Sequence, residues 1–304
     1  SATLIYVPAE YKGVPVTRIS AGAAESKAMV TTLDLTSATN LRYIGENAFS
    51  GCVALTEIKS PEGGGALSYV AAGAFDGIGY NPYKSGHLIV GNVLVQAATD
   101  GSATLDLSEA GFKYIAGGAF NDTRLAKVIL PDDLRGIADG AFVAVSTSFA
   151  IETATTSMEY LGADIGLGSF DDNNLIDDGC TIGNELYRYT GDKESLDLNV
   201  TGTTVIAGGA FRDAANLTSL TFDESKMVYI GENAFSNKFI AANVDENGFF
   251  VVNGILIKYY GSAKQVTLPA DVVVINTTTF ANSGLSNLII PVGSGLTTIK
   301  EHPF

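Results

Sequence analysis

The string Ile-Gly-Glu-Asn-Ala-Phe occupies residues 44–49 and returns, letter for letter, at 230–235. Close relatives of this I-x-x-x-A-F pattern are VAAGAF (70–75), IAGGAF (115–120 and 206–211), IADGAF (137–142), IGLGSF (165–170), INTTTF (275–280) and IKEHPF (299–304). ISAGAA at 19–24 reads as a first copy in which Ala24 replaces the Phe. The leading Ile or Val of these ten copies advances by 25, 26, 45, 22, 28, 41, 24, 45 and 24 residues. A unit this short cannot bury its apolar side alone, so neighbouring units must stack. The sequence therefore reads as a single solenoid domain spanning 1–304, with about ten repeats.

A second signature lies between one Phe and the next marker: LTEIKSP (55–61), LAKVILP (125–131), LTSLTF (217–222) and LSNLIIP (285–291). Its alternating apolar residues predict one short parallel strand per repeat, and the small-residue segment before the Phe fits a helical or 3₁₀ turn. Phe49, Phe75, Phe120, Phe142, Phe170, Phe211, Phe235, Phe280 and Phe304 are then expected to form one aromatic column inside the stack. The Ala preceding most of them lets each turn lie close to its neighbour. The three long steps contain HLIVGNVLVQ (87–96), CTIGNELYRY (180–189) and FFVVNGILIKYY (249–260). In each, a Gly-Asn or Asn-Gly pair between β-prone runs predicts an inserted hairpin, and a glycine follows at 101, 191 or 261. FAIETATTSMEYL (149–161) lacks the strand signature, which predicts an irregular sheet near the middle.

L-x-x-L/V/I-x-L/I-P followed by I-x-x-x-A-F at this period resembles the BspA-type leucine-rich repeat, from about residue 5 to the end of the chain. The resemblance implies an α/β solenoid: a right-handed leucine-rich-repeat coil with a parallel β-sheet on its concave face and short helical or 3₁₀ turns outside. The inserted hairpins look like a variant within that family. The family is similar to surface and secreted proteins, many bacterial, several implicated in adhesion, and no catalytic residues come with it. The chain stops at Phe304, inside the turn of its last repeat, so the expectation is either a short native cap or a cut.

Chemistry beyond the repeat is sparse. A formal charge of −15 repels phosphate backbones and anionic lipid, so nucleic acid and direct membrane insertion are poor expectations. No run approaches the length of an apolar membrane span. Cys52 and Cys180 fit no disulfide framework or metal motif and read as small buried side chains. His87 and His302 read as surface or packing residues, and Gly63–Gly65 as a flexible loop rather than a phosphate cradle. The acidic stretch DDNNLIDDG (171–179) departs from the EF-hand pattern at Leu175 and reads as a solvated loop, with weak calcium binding the alternative. Sequons begin at Asn121, Asn199, Asn216 and Asn276 and matter only in a eukaryotic secretory pathway. No cofactor, metal or catalytic residue is expected.

The residues expected to project from the strand centres are Asp34, Lys59, Asp106, Ile129, Asp197, Thr221, Thr267 and Ile289, with Asp34, Lys59 and Asp106 forming an acid-base-acid row. Opposite charges on adjacent strands first of all seat those strands, and as a concave solenoid face they are also the candidate binding surface. Together these readings predict a non-enzymatic extracellular or cell-surface protein that binds a host matrix protein, a microbial surface protein or a glycan. The alternatives are a structural spacer within a larger surface protein and, more remotely, a solenoid enzyme acting on carbohydrate.

Overall fold

The structure, a computed structural model, describes residues 3–120, 124–142, 145, 149–155, 158–162, 175–176, 179–182, 185–189, 191–199, 203–300 and 302–304. The described residues fall into two compact units, one within 3–158 and the other comprising 159–162 and 175–304. Within each unit the chain winds as a β-solenoid of short parallel strands with few helices.

Each ordinary turn of the coil lays down two strands rather than one. The first has three residues, as in Thr32–Asp34, Lys127–Ile129 or Ser219–Thr221, and its middle residue points inward; Leu33 and Val128 are completely buried. The second has two residues and ends on the marker, as in Tyr43–Ile44, Tyr114–Ile115 and Tyr229–Ile230. Both kinds pair in parallel with their counterparts in neighbouring coils, Leu33 opposite Ile58 and Ile44 opposite Val70. The result is a broad ladder and a narrow ladder, with the described marker residues buried except Ile299 in the last coil.

The expected helical turn in I-x-x-x-A-F is thus corrected. Its marker closes the narrow ladder, and the residues after it form turns whose peptide groups bond to the next coil: Phe49 N donates to Ala74 O (2.8 Å) and Phe211 N to Ala234 O (2.7 Å). The fourth residue of every described copy has positive φ, from 49° at Asn233 to 74° at Gly118, a conformation that no continuing right-handed helix contains. This explains Gly or Asn at that position, since these residues enter the left-handed region most readily. Thr278 occupies it at φ 56° despite its branched Cβ, and its hydroxyl has only a 3.4 Å exposed contact with Asn233 Oδ1. Thr278→Gly is expected to raise stability by about 1 kcal/mol; a lowered urea midpoint would contradict this.

The aromatic column forms locally. Phe49 stacks on Phe75 (centroids 5.2 Å), Phe120 on Phe142 (4.5 Å), Phe211 on Phe235 (5.7 Å) and Phe280 on Phe304 (5.2 Å). Burying each ring contributes roughly 1.5–3 kcal/mol, except at Phe304, which stays largely exposed. Phe170 lies outside the described residues. Ala48 and Ala234 are completely buried, so Ala234→Leu is expected to cost about 1–3 kcal/mol by overpacking. An unchanged melting temperature would show that the turn has room for the larger side chain.

Within the three long steps successive strands pair antiparallel, among them Leu88–Val90 with Val93–Gln96, Gly179–Ile182 with Glu185–Tyr189, and Phe249–Val252 with Ile255–Tyr259. The second member of each pair joins the narrow ladder, placing Leu94 opposite Ile115, Leu186 opposite Ile206 and Leu256 opposite Ile275. Tyr189 and Tyr259 then stand where a Phe stands elsewhere, 5.8 Å from Phe211 and 6.1 Å from Phe280. Among the described residues these coils contribute no strand to the broad ladder, which breaks there into separate sheets.

Two further expectations change. Ala150–Glu152 does form a regular strand, paired in parallel with Lys127–Ile129, because Ile151 supplies the single inward residue that such a strand needs. The three glycines, read as a flexible loop, lie in a 3₁₀ turn over Glu62–Gly64 capped by Gly65, with positive φ at all three. Asn92 Nδ2 donates to Gly65 O at 3.1 Å and seats that turn.

Candidate functional site

The outward positions of the broad ladder are the first and third residues of each three-residue strand. The expected site residues occupy third positions, at the strand ends rather than the centres: Asp34, Lys59, Asp106, Ile129, Asp197, Thr221, Thr267 and Ile289. Register brings Tyr6, Asp34 and Lys59 side by side, Ile129 between Asp106 and Glu152, Asp197 beside Thr221, and Thr267 beside Ile289. The acid-base-acid row is corrected: Lys59 lies on the last strand of one sheet and Asp106 on the first of another. The coil containing the antiparallel pair 88–96 separates them along the chain.

The acids at these strand ends also shape the backbone. Asp34 Oδ1 accepts from Thr36 Oγ1 (2.6 Å) and Thr36 N (3.0 Å), and Asp106 Oδ1 accepts from Ser108 Oγ (2.7 Å) and Ser108 N (3.0 Å). These bonds hold both carboxyls below the ordinary carboxylate value, led by the Thr36 hydroxyl for Asp34 and by the Ser108 backbone N–H for Asp106. A D-x-S/T turn signal was legible in DLT and DLS but went unread. Elsewhere on the face, Thr32 Oγ1 donates to Glu57 Oε2 (3.0 Å), Lys59 pairs with Glu57 (3.6 Å), and Lys127 pairs with Glu152. In the second unit the outward side chains are mainly hydroxyls and amides, with Asn287 Nδ2 donating to Gln265 Oε1 (2.9 Å).

A concavity of about 930 Å³ lies where the broad ladder of the second unit is interrupted, between the Asp245–Phe249 turn and the strand Gln265–Thr267. Of its lining residues, the sequence pointed only to Thr267, as an outward strand position and not as part of a concavity. The buried Tyr259 organises the floor: its hydroxyl accepts from Ala263 N at 3.1 Å and wraps the 260–263 loop around the ring tip. Tyr189 repeats the device, accepting from Lys193 N at 3.2 Å. The glycine two residues after Tyr259 has a steric reason, since a Cβ on Gly261 would come within 2.6 Å of Cε2 of that tyrosine.

The remaining singled-out residues play structural parts. His87 Nδ1 accepts from Ala98 N at 2.9 Å, and burial lowers its pKa. His302 is exposed, and its carbonyl accepts from Thr278 N. Cys52 is buried with Sγ against Ala24 O (3.2 Å), whereas the side chain of Cys180 lies outside what is described. The acidic stretch 171–179 and the sequon at Asn121 also fall largely or wholly outside the described residues. The Asn276 side chain is buried and donates to Ile230 O at 3.0 Å, so the folded chain does not present that sequon. Among the described residues there is no cluster of three or more metal-ligating side chains and no helix long and apolar enough to cross a membrane.

A family model described as the BspA type leucine rich repeat region matches residues 17–82, 101–174 and 180–304 in six copies. The chain belongs to this family. No curated protein matches it. Among solved structures, it resembles a leucine rich cell surface protein from Faecalibacterium prausnitzii A2-165, with 17% identity, 95% of this chain and 88% of that one covered, and a TM-score of 0.33. A leucine-rich repeat protein from Bacteroides ovatus shows 20% identity, coverage of 97% and 82%, and a TM-score of 0.24. The T. pallidum leucine rich repeat protein shows 16% identity, coverage of 79% and 81%, and a TM-score of 0.28. Scores this low carry no functional inference. The BspA-type assignment rests on the family match, whose residues include all eight expected outward positions.

Proposed function

We propose that this BspA-type chain is a non-enzymatic binding protein of the cell surface or secreted space, holding a protein or glycan on the outward face of its broad ladder. The observation that carries the reading is the repeated presentation of side chains at fixed register, from Tyr6-Asp34-Lys59 in the first unit to Thr267-Ile289 in the second. Backbone hydrogen bonds fix the spacing of these side chains, so little ordering cost remains when a partner docks. Family membership supports the same reading.

The test is an array of matrix proteins, mucins and glycans probed with the whole chain and with Lys59→Glu and Thr221→Lys. Saturable binding that weakens in either variant supports the ladder face. Binding indifferent to both, or cleavage of the captured molecule, overturns it. Thr221 is chosen over Asp106 because replacing Asp106 would also release the turn it holds at Ser108.

A further inference from the structure

Resting on the binding reading above, we infer that the concavity beside Gln265–Thr267 is a saccharide site, taking a short neutral oligosaccharide. Its volume of about 930 Å³ lies at the upper end of the 300–1,000 Å³ typical of small-molecule pockets. Its lining combines an exposed aromatic ring, Tyr260, with the carboxylates of Asp245 and Glu246, the amide of Gln265 and the hydroxyl of Thr267. Saccharides need this mixture: one face of a pyranose is a patch of C–H bonds that packs on an aromatic ring, while its rim of hydroxyls both donates and accepts.

The polar groups are prepared for that rim. Asp245 Oδ1 is committed to Asn247 N (2.9 Å) and Phe249 N (2.8 Å), which fixes the carboxylate and leaves its second oxygen as an acceptor. Gln265 Oε1 accepts from Asn287 Nδ2 at 2.9 Å, so its NH₂ is the end left to donate. Tyr260 is about half exposed, yet its backbone is pinned by Tyr260 N donating to Gly248 O at 2.7 Å. The two walls meet at paired glycines, where a Cβ on Gly248 would lie 2.7 Å from Gly261 Cα. A preorganised site of this kind spends little of its binding energy on ordering.

Charge sets the class. Asp245 and Glu246 line the pocket and no Lys or Arg does, within a chain of formal charge −15. Uronic, sialic and sulfated sugars are therefore repelled, and neutral hexose or N-acetylhexosamine chains are favoured.

The experiment titrates neutral hexose and N-acetylhexosamine trisaccharides, acidic trisaccharides and a Lys/Arg-rich peptide against the whole chain. The same titrations are run on Tyr260→Ala, Tyr260→Trp and Lys59→Glu. Tyr260 has an exposed side chain, and unchanged melting curves verify that its variants fold. The expected result is saturable binding of a neutral trisaccharide, weakened at least about tenfold in Tyr260→Ala through loss of the aromatic face. Tyr260→Trp should restore it. Neutral-sugar binding that survives Tyr260→Ala but fails in Lys59→Glu overturns the pocket while supporting the ladder face. Preference for acidic sugars or for the basic peptide, or no saccharide binding at all, also overturns it.

Discussion

Gly231→Ala is expected to destabilise the second unit by about 3 kcal/mol, read as a lowered urea midpoint, although the change adds one methyl group. Alanine looks harmless by comparison within the chain, because Ala71, Ala116, Ala138 and Ala207 fill the same place in other copies of the repeat. Geometry says otherwise. A Cβ on Gly231 would collide with Gly208 N, lie 2.5 Å from Gly208 Cα and come within 2.7 Å of the Ala207 carbonyl carbon. All three are backbone atoms of the preceding coil, which no rotamer change can move aside. Gly45, in the other copy of IGENAF, meets Ser20 C at 2.8 Å and Ala21 Cα at 2.9 Å by the same construction. Gly45→Ala should therefore repeat the loss in the first unit. Unchanged midpoints in both variants would mean that the coils can separate locally at small cost.

That pair of glycines also shows what could be read from the sequence. Period and parallel stacking were legible because Ile44, Ala48 and Phe49 are spelled by burial, which hydrophobic pattern reports directly. The narrow ladder was not legible: a two-residue strand is too short for alternation to show, and its Tyr-Ile or Val-Ile pair looks like part of the following turn. The Gly or Asn at the fourth position of most copies was the available signal for a positive-φ turn, and it excludes a helix there. For the candidate site, the outward residues were legible by period, but their grouping was not. Whether Lys59 meets Asp106 depends on how the residues around 88–96 pair, and that is a long-range fact. The pocket walls were hidden similarly, because Gly248 and Gly261 are brought together by antiparallel pairing across 249–259. The folded Tyr259 loop was signalled only by a glycine two residues after a buried tyrosine.

Glu185→Leu is the second large effect, a loss of about 3 kcal/mol, whereas Glu185→Gln should stay within about 1 kcal/mol of the parent at neutral pH. Glu185 is buried at the start of the strand Glu185–Tyr189. Its Oε2 accepts from Thr204 N (2.8 Å) and Val205 N (2.6 Å), and its Oε1 from Thr204 Oγ1 (2.8 Å). Leucine fits the apolar surroundings but removes the acceptor for two backbone N–H groups at the entry to the narrow ladder. Glutamine keeps an acceptor and is uncharged. Burial raises the carboxyl above its ordinary 4.5, against the opposing pull of the Thr204 and Val205 bonds, so desolvation of the charge outweighs the hydrogen bonds that favour it. The sign of the pH dependence follows. Below 4.5 both folded and unfolded chains hold the proton, and the contribution of this group is full. As the pH rises above that value the unfolded chain ionises first, so stability from this group falls until the folded carboxyl has also lost its proton. Glu185→Gln lacks this decline. Urea midpoints of the parent and the glutamine variant should therefore converge on acidification toward 4.5, with the parent losing ground as the pH rises above it. A parent that gains on the variant as the pH rises would show that the three hydrogen bonds, not burial, govern this carboxylate.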